Sequence, residues 1–172
     1  MQRVNSPRGI WRRNTNFFLT ASVVVVTDQL SKLWIRSNLA LGESLPETGF
    51  LRLTYVRNSG AAFGLFQDHS LLLIIVAIIG IATILFLVLF IYRRFDFVDT
   101  TPGRLSLGLI LGGTVGNLID RLGAGYVTDF IDVGIWPAFN AADSAVVIGA
   151  SLLAYSLIQL TKGSERSNGQ AT

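Results

Sequence analysis

The chain is expected to be an all-α membrane protein, with four transmembrane helices and a small strand-containing extracytoplasmic loop region. Three observations predict it. About half of the 172 residues are apolar and 15% are charged, against roughly a quarter charged in soluble domains. The apolar residues gather into long runs instead of recurring at the period of an element that half faces water. One run, Leu71 to Tyr92, holds 22 residues without a charge, enough to cross about 30 Å of hydrocarbon at about 1.5 Å per residue. A chain of this length, with no internal repeat, reads as one integral-membrane domain over residues 1–172.

The first span is expected at about Phe17–Ile35, behind Arg3, Arg8, Arg12 and Arg13. A basic stretch before an apolar one resembles a secretory signal peptide. No small-residue cleavage site follows, however, and the pattern runs on through Asp28 and Lys32, so the span is read as retained. An outer loop at about 36–70 contains Phe50 to Arg57, whose alternation predicts a strand. Asn58-Ser59-Gly60-Ala61-Ala62-Phe63-Gly64 follows, with small residues that let the backbone approach another surface closely. The second span is the uncharged run at 71–92. The third, about Leu105–Leu122, carries Gly108, Gly112, Gly116 and Asp120 at intervals of four, a stripe suited to close helix contact. A second outer loop at about 123–140 leads to the fourth span, about Ala141–Leu160, and the polar stretch 163–172 is expected to be a disordered tail.

Arg93, Arg94 and Arg104 lie between spans two and three, and Lys162 and Arg166 follow span four. By the positive-inside rule both termini are then cytoplasmic. Asp28, Lys32, Asp120, Arg121 and Asp143 therefore fall near the outer leaflet. Ionisable groups at membrane depth are costly and mark functional pathways or sites, so three of the four helices are expected to converge on one polar centre.

Composition excludes several chemistries. With no cysteine there is no disulfide, zinc thiolate site or cysteine nucleophile. A Ser-His-Asp hydrolase would have to use His69, the single histidine, at the edge of span two and away from any nucleophile-elbow pattern. The net charge of +3 does not imply a nucleic-acid partner, because the basic residues flank spans and do not line one face.

The acids have structural explanations to set beside catalytic ones. Asp28 and Lys32, spaced i to i+4, suit an ion pair that tethers span one to its neighbours, and Asp120 must find a cation whether or not it catalyses. Asn140 suits an N-cap of span four with Asp143 at the third position. Asp129 and Asp132 could be loop acids. If Asp129 and Asp143 meet, both cannot ionise cheaply, and the pair becomes an acid and a base able to drive water against a carbonyl. Asp120, Asp129, Asp132 and Asp143 are also oxygen ligands of the kind Mg or Ca accepts. A small-solute carrier using the acids as a proton relay is a further reading. It needs access from both faces, whereas the acids cluster on one side and span two has none. The residues alone do not choose among these.

Five segments resemble, in order, the sequence boxes of the bacterial lipoprotein signal peptidase (signal peptidase II) family: Asp28-Gln29-Leu30-Ser31-Lys32, Asn58 to Phe63, Gly112 to Arg121, Val127-Thr128-Asp129-Phe130 and Phe139 to Ser144. The resemblance implies an aspartyl endopeptidase of the bacterial cytoplasmic (inner) membrane, active near the outer leaflet. Such an enzyme cuts the signal peptide from diacylglyceryl-modified prolipoproteins immediately before the lipidated cysteine. It implies Asp129 and Asp143 as the catalytic pair, with Asp28, Lys32, Asn58, Gly60, Asn117, Asp120, Arg121 and Asn140 supporting them or binding substrate. It also implies no metal or other cofactor, a monomer, and lipid-modified prolipoprotein signal peptides and membrane lipid as partners.

Overall fold

The computed structural model describes residues 7–60, 70–91 and 100–169. His69, Ala61 to Gly64, Arg93 and Arg94 lie outside the described residues. The order is α1 (Pro7–Asn38), β1 (Ser44–Leu45), β2 (Arg52–Asn58), α2 (Ser70–Phe86) with a π-helical turn over Leu87–Ile91, α3 (Thr101–Ala124), β3 (Val127–Asp132) and α4 (Ala141–Gly169). The architecture is mostly helical with a small three-stranded sheet. Among the described residues, three stretches are long and apolar enough to cross a membrane: Asn14–Asn38, Ser70–Phe90 and Ala141–Gln159. No residue of α2 between Ser70 and Phe86 is fully buried, although Ile81, Ile84 and Leu85 pack partly against the other helices. Leu71, Ile75, Val76 and Ile79 face outward, an apolar surface of the kind that lipid covers.

α3, where the third span was expected, is a full helix but not among those three, because glycine and polar residues dilute its apolar character. It starts at an N-cap, where Thr100 Oγ1 accepts from the Gly103 N–H at 3.1 Å, and it ends at Gly125 with φ +79. That left-handed conformation favours glycine and closes the helix onto the Arg121 carbonyl. α3 packs between α1 and α4 and also touches α2. The glycine stripe is a packing surface. A Cβ at Gly112 would lie 2.7 Å from both Ala21 O and Val24 Cβ of α1, and one at Gly116 would lie 2.6 Å from Asp28 Oδ2. Gly113, one position off the stripe, faces Ala142 of α4 in the same way. Gly112→Ala should therefore cost about 1–3 kcal/mol by overpacking, read as a lower thermal midpoint. Gly123→Ala, with nothing within 4 Å of its Cβ, should hold or slightly raise the midpoint, since Ala favours a helix over Gly.

The strands pair antiparallel in the order β1-β2-β3. The alternation at 50–57 is realised as β2, and Asp129 and Asp132 lie on a strand, not in a loop. Between Leu53 and Val56 the β2–β3 register slips by one residue, a bulge that re-aims the chain after it so that Val56 faces Asp129 and Asn58 faces Val127. The sheet rests on the end of α1: Ile35 and Leu39 pack with Tyr55 and Phe130. A second apolar cluster, Phe17, Ala21, Val88, Leu107 and Leu111, holds α1, α2 and α3 together.

The helices run past the boundaries expected for their spans: α1 begins at Pro7, ahead of Phe17, and α3 covers Thr101–Ala124 where Leu105–Leu122 was expected. α1 continues past Ile35 to Asn38, and α4 continues through Gly169 across most of the segment expected to be disordered. A helix need not stop where hydrophobicity does. Residues such as Lys162, Glu165 and Arg166 are good helix formers once the helix is already nucleated.

Candidate active site

Asp28, Lys32 and Arg36 recur every four residues and so share one face of α1. Lys32 is fully buried, and its ammonium has three hydrogens and three acceptors: Asp28 Oδ2 at 2.8 Å, Asn117 Oδ1 at 2.9 Å and Asp120 Oδ2 at 3.2 Å. Gly116 lacks the Cβ that would otherwise keep Asp28 off α3. The other Asp28 oxygen accepts from the Ala142 N–H at 3.0 Å, satisfying an orphan donor in the first turn of α4 from a different helix. The expected tether is thus present, and it joins α1 to α3 and α4 together. Asp120 completes it. Its Oδ1 takes Arg36 Nη2 at 3.0 Å, and its Oδ2 takes the backbone N–H of Thr128 on β3 at 2.9 Å.

Asn140 caps α4 as its spacing suggested. Its Oδ1 accepts from the Asp143 N–H at 2.9 Å, and its own backbone N–H donates to Asp143 Oδ2 at 3.2 Å, a reciprocal capping box. The cap is also part of the cluster, because the Asn140 Nδ2 donates to Asp129 Oδ1 at 2.7 Å. One residue thus touches both candidate carboxylates, with its side chain at Asp129 and its backbone N–H at Asp143. The loop after β3 makes this possible. Phe139 bridges back to Ile131 and delivers Asn140 alongside the strand. Asp129 Oδ2 accepts from Asn58 Nδ2 at 2.9 Å, and Asp143 Oδ1 from Asn117 Nδ2 at 2.8 Å. The Asn117 amide is oriented by its oxygen, which takes Lys32 and the Asn140 Nδ2 (3.1 Å) and leaves only its NH2 for Asp143.

Asp129 is 2% exposed. Burial pushes its carboxyl up to about 6, with the charge of Asp143 adding to the rise and the donors Asn58 and Asn140 and the Lys32 charge opposing it. Such a carboxyl still carries a proton in an appreciable fraction of molecules near neutrality. Arg121 does not fold back onto Asp120, whose ion-pair partners are Lys32 and Arg36. Its Nη2 donates instead to the Gly60 carbonyl at 3.1 Å, while its charge acts on Asp143, Asp129 and Asp120.

All ten residues anticipated as catalytic or supporting therefore lie in one connected cluster: Asp28, Lys32, Asn58, Gly60, Asn117, Asp120, Arg121, Asp129, Asn140 and Asp143. Asp132 stands apart, paired with Arg52 Nη2 at 2.7 Å at the far end of the β2–β3 ladder. Among the described residues no three His, Cys, Asp or Glu side chains gather as a metal-holding set, and the cluster's carboxylates are engaged by amides and cations. Arg36 was assigned to the outer loop, yet it is inside the network. The i, i+4 register from Asp28 through Lys32 was the available signal, and an apolar run ending at Ile35 concealed it.

A sequence profile of signal peptidase II matches residues 20–159. The chain belongs to the signal peptidase II family. Membership makes it a membrane protein and a protease. It is 48% identical over 137 residues to a lipoprotein signal peptidase of Dehalococcoides mccartyi, which covers 80% of this chain and 85% of that relative. A lipoprotein signal peptidase from another strain of that species is 45% identical over 93% of this chain and 97% of its own length. One of Moorella thermoacetica is 46% identical over 83% and 92%. Among solved structures, a bacterial membrane enzyme determined by the in meso method superimposes with TM-score 0.77 at 32% identity, covering 86% of this chain and 90% of that one. For a signal peptidase II family member, the polar cluster where α1, α3, α4 and the sheet meet is the candidate active site.

Proposed function

We propose that this protein is an aspartyl endopeptidase that cuts the signal peptide of diacylglyceryl-modified prolipoproteins immediately before the lipidated cysteine, with Asp129 and Asp143 as the catalytic pair. The observation that carries the reading is Asn140, which hydrogen-bonds both carboxylates at once. The lipoprotein signal peptidase names of the relatives support the substrate. Charge supports the protonation state. Asp28, Asp120, Asp129 and Asp143 bring four negative charges to the cluster and Lys32, Arg36 and Arg121 bring three positive ones. One proton shared by the pair leaves the cluster neutral, which a low-dielectric site favours.

In the monoprotonated pair, the ionised aspartate takes a proton from water as its oxygen attacks the scissile carbonyl, and the protonated aspartate donates to the carbonyl oxygen. The resulting tetrahedral diol collapses as the aspartate that has become ionised takes a diol proton and the other gives the proton it took from water to the leaving amine nitrogen. The pair regains its starting state, and no covalent enzyme intermediate is needed. Asn58 and Asn140 hold Asp129, and Asn117 holds Asp143. Arg121 steadies the Asn58–Gly60 segment at Gly60 and has a buried Nε–H with no hydrogen-bond partner among the described residues, a donor suited to a substrate carbonyl.

In this reading α3 is a fourth span, its polar stripe facing protein. Both termini are cytoplasmic, the site lies near the outer leaflet of the inner membrane, and a monomer suffices because one chain supplies both aspartates. Purified protein should cleave a diacylglyceryl-modified precursor and leave its Cys→Ser counterpart intact. Equal cleavage of both would overturn the substrate, and loss of cleavage on chelation would overturn the metal-free mechanism.

The Asn58 amide stabilises the charged form of Asp129. Asn58→Ala should therefore raise that carboxyl above about 6, and the proton whose loss ends activity on the alkaline side should leave at higher pH. The alkaline limb of the kcat/KM profile is expected to move up, whatever happens to its height. A limb that stayed in place or moved down would remove Asp129 from that proton.

A further inference from the structure

The network that flanks the aspartate pair contains one cation outside the segments that first drew attention to the site. Arg36 is 30% exposed at its side chain, one turn beyond Lys32 on α1. Its Nε donates to the Lys32 carbonyl at 3.2 Å and its Nη2 to Asp120 Oδ1 at 3.0 Å. The helical bond aims the guanidinium, so the plane of the fork is held from its own helix before it reaches α3. Asp120 is 3% exposed and spends its other oxygen on the Thr128 N–H.

Thr128 directly precedes Asp129, is itself completely buried, and pairs with Arg57 in the β2–β3 ladder. A strand held at that amide presents the next side chain at a fixed height and angle. Asp129 must meet Asn58, Asn140 and a substrate carbonyl at once, and a displacement of about 1 Å in such a constellation costs on the order of a hundredfold in rate.

We infer that Arg36 is a positioning residue for Asp129, acting through Asp120 and the Thr128 amide. Lys32 is a poorer candidate for the same task. It divides its three hydrogens among Asp28, Asn117 and Asp120, and its Asp120 contact, at 3.2 Å, is the longest of them. Arg36 holds the opposite oxygen of Asp120, so the carboxylate is pinned between α1 and β3. Without Arg36, Asp120 is drawn toward Lys32 and its hold on the strand loosens. The lipid-facing helices and both apolar clusters are untouched by that change.

This inference rests on Asp129 being catalytic, and the experiment separates the two. Arg36→Met, Arg36→Lys and Asp129→Asn are purified in detergent and assayed on a diacylglyceryl-modified precursor, with thermal midpoints measured in parallel. Arg36→Met is expected to lower kcat about tenfold to a hundredfold, with KM within about twofold and the assay run well below its midpoint. Arg36→Lys, which restores a cation to Asp120 but not the planar fork, is expected to recover most of the lost kcat. A merely structural role would lower the midpoint without a selective fall in kcat, and a substrate-binding role would raise KM. Either outcome, or Arg36→Met turning over like the unaltered protein while Asp129→Asn is inactive, overturns the inference. Activity in Asp129→Asn would instead overturn the catalytic reading on which it stands.

Discussion

Asp129→Asn and Asp143→Asn are each expected to abolish cleavage of a lipidated precursor, lowering the rate at least about a thousandfold, while the protein still inserts and accumulates. Loss of one positioned acid or base costs about 10²–10⁴ in rate. The upper part of that range is expected here because in the proposed mechanism each aspartate serves in both steps, once giving a proton and once taking it. The substitution keeps the shape and removes the exchangeable proton. It also turns one acceptor oxygen into an NH2 donor. At Asp129 that donor would face Asn58 or Asn140, which already donate at 2.9 and 2.7 Å, and at Asp143 it would face Asn117 or the Asn140 N–H. The surrounding amides can absorb one such conflict, so the fold survives. Precursor and product are resolved on a gel against time, beside a membrane-fraction immunoblot. Cleavage retained by either variant would eliminate the pair as the catalyst.

The second large effect is on stability. Lys32→Met is expected to destabilise the protein by about 3–5 kcal/mol, because removing one partner strands buried charge. Asp28 and Asp120 are 0% and 3% exposed, and without Lys32 the one ion pair left to them among the described residues is Arg36 with Asp120. On the scale for domains of this size, that corresponds to a fall of roughly 10 °C or more in thermal midpoint. The double variant Lys32→Met with Asp28→Asn removes the stranded charge and leaves Asp120 paired with Arg36. It should therefore be more stable than Lys32→Met alone, a non-additivity expected only if the two side chains interact. Asp28→Asn by itself should act chiefly through stability, since an amide oxygen can still accept from the Ala142 N–H. Additive midpoints across this cycle would mean that the ion pair does not hold α1 to α3 and α4.

Both predictions depend on contacts between residues far apart in the chain, and these were legible in the sequence to very different degrees. The apolar runs that become α1, α2 and α4 announce themselves, because a bilayer demands about 20 apolar residues in succession. The α4 cap was readable from Asn140 and Asp143 alone, since capping is local chemistry over four residues. The alternation of β2 was likewise local. The glycine stripe of α3 signalled close packing, although Gly113, which meets α4, lies off the stripe and was missed. Arg36 was misplaced for a related reason. Hydrophobicity marks where a membrane ends, and helical hydrogen bonding marks where a helix ends, and the two points differ by about a turn here.

What the sequence determined by itself is the class of molecule, the residue types present and their local geometry: a membrane protein with acids gathered near one end of its helices and resembling one peptidase family. What only the tertiary structure decided is which acids keep company. Asp28 and Asp120 are given to Lys32 and Arg36, Asp132 is given to Arg52, and Asp129 and Asp143 are left together on the amides of Asn58, Asn117 and Asn140. Five aspartates have the same intrinsic chemistry. The three that face a cation are held as counterions, and the two held by neutral amide donors are the pair proposed to share a proton. That partition arises from a bulge in β2, a loop that returns at Phe139 and a glycine at 116, none of which alters the acids themselves.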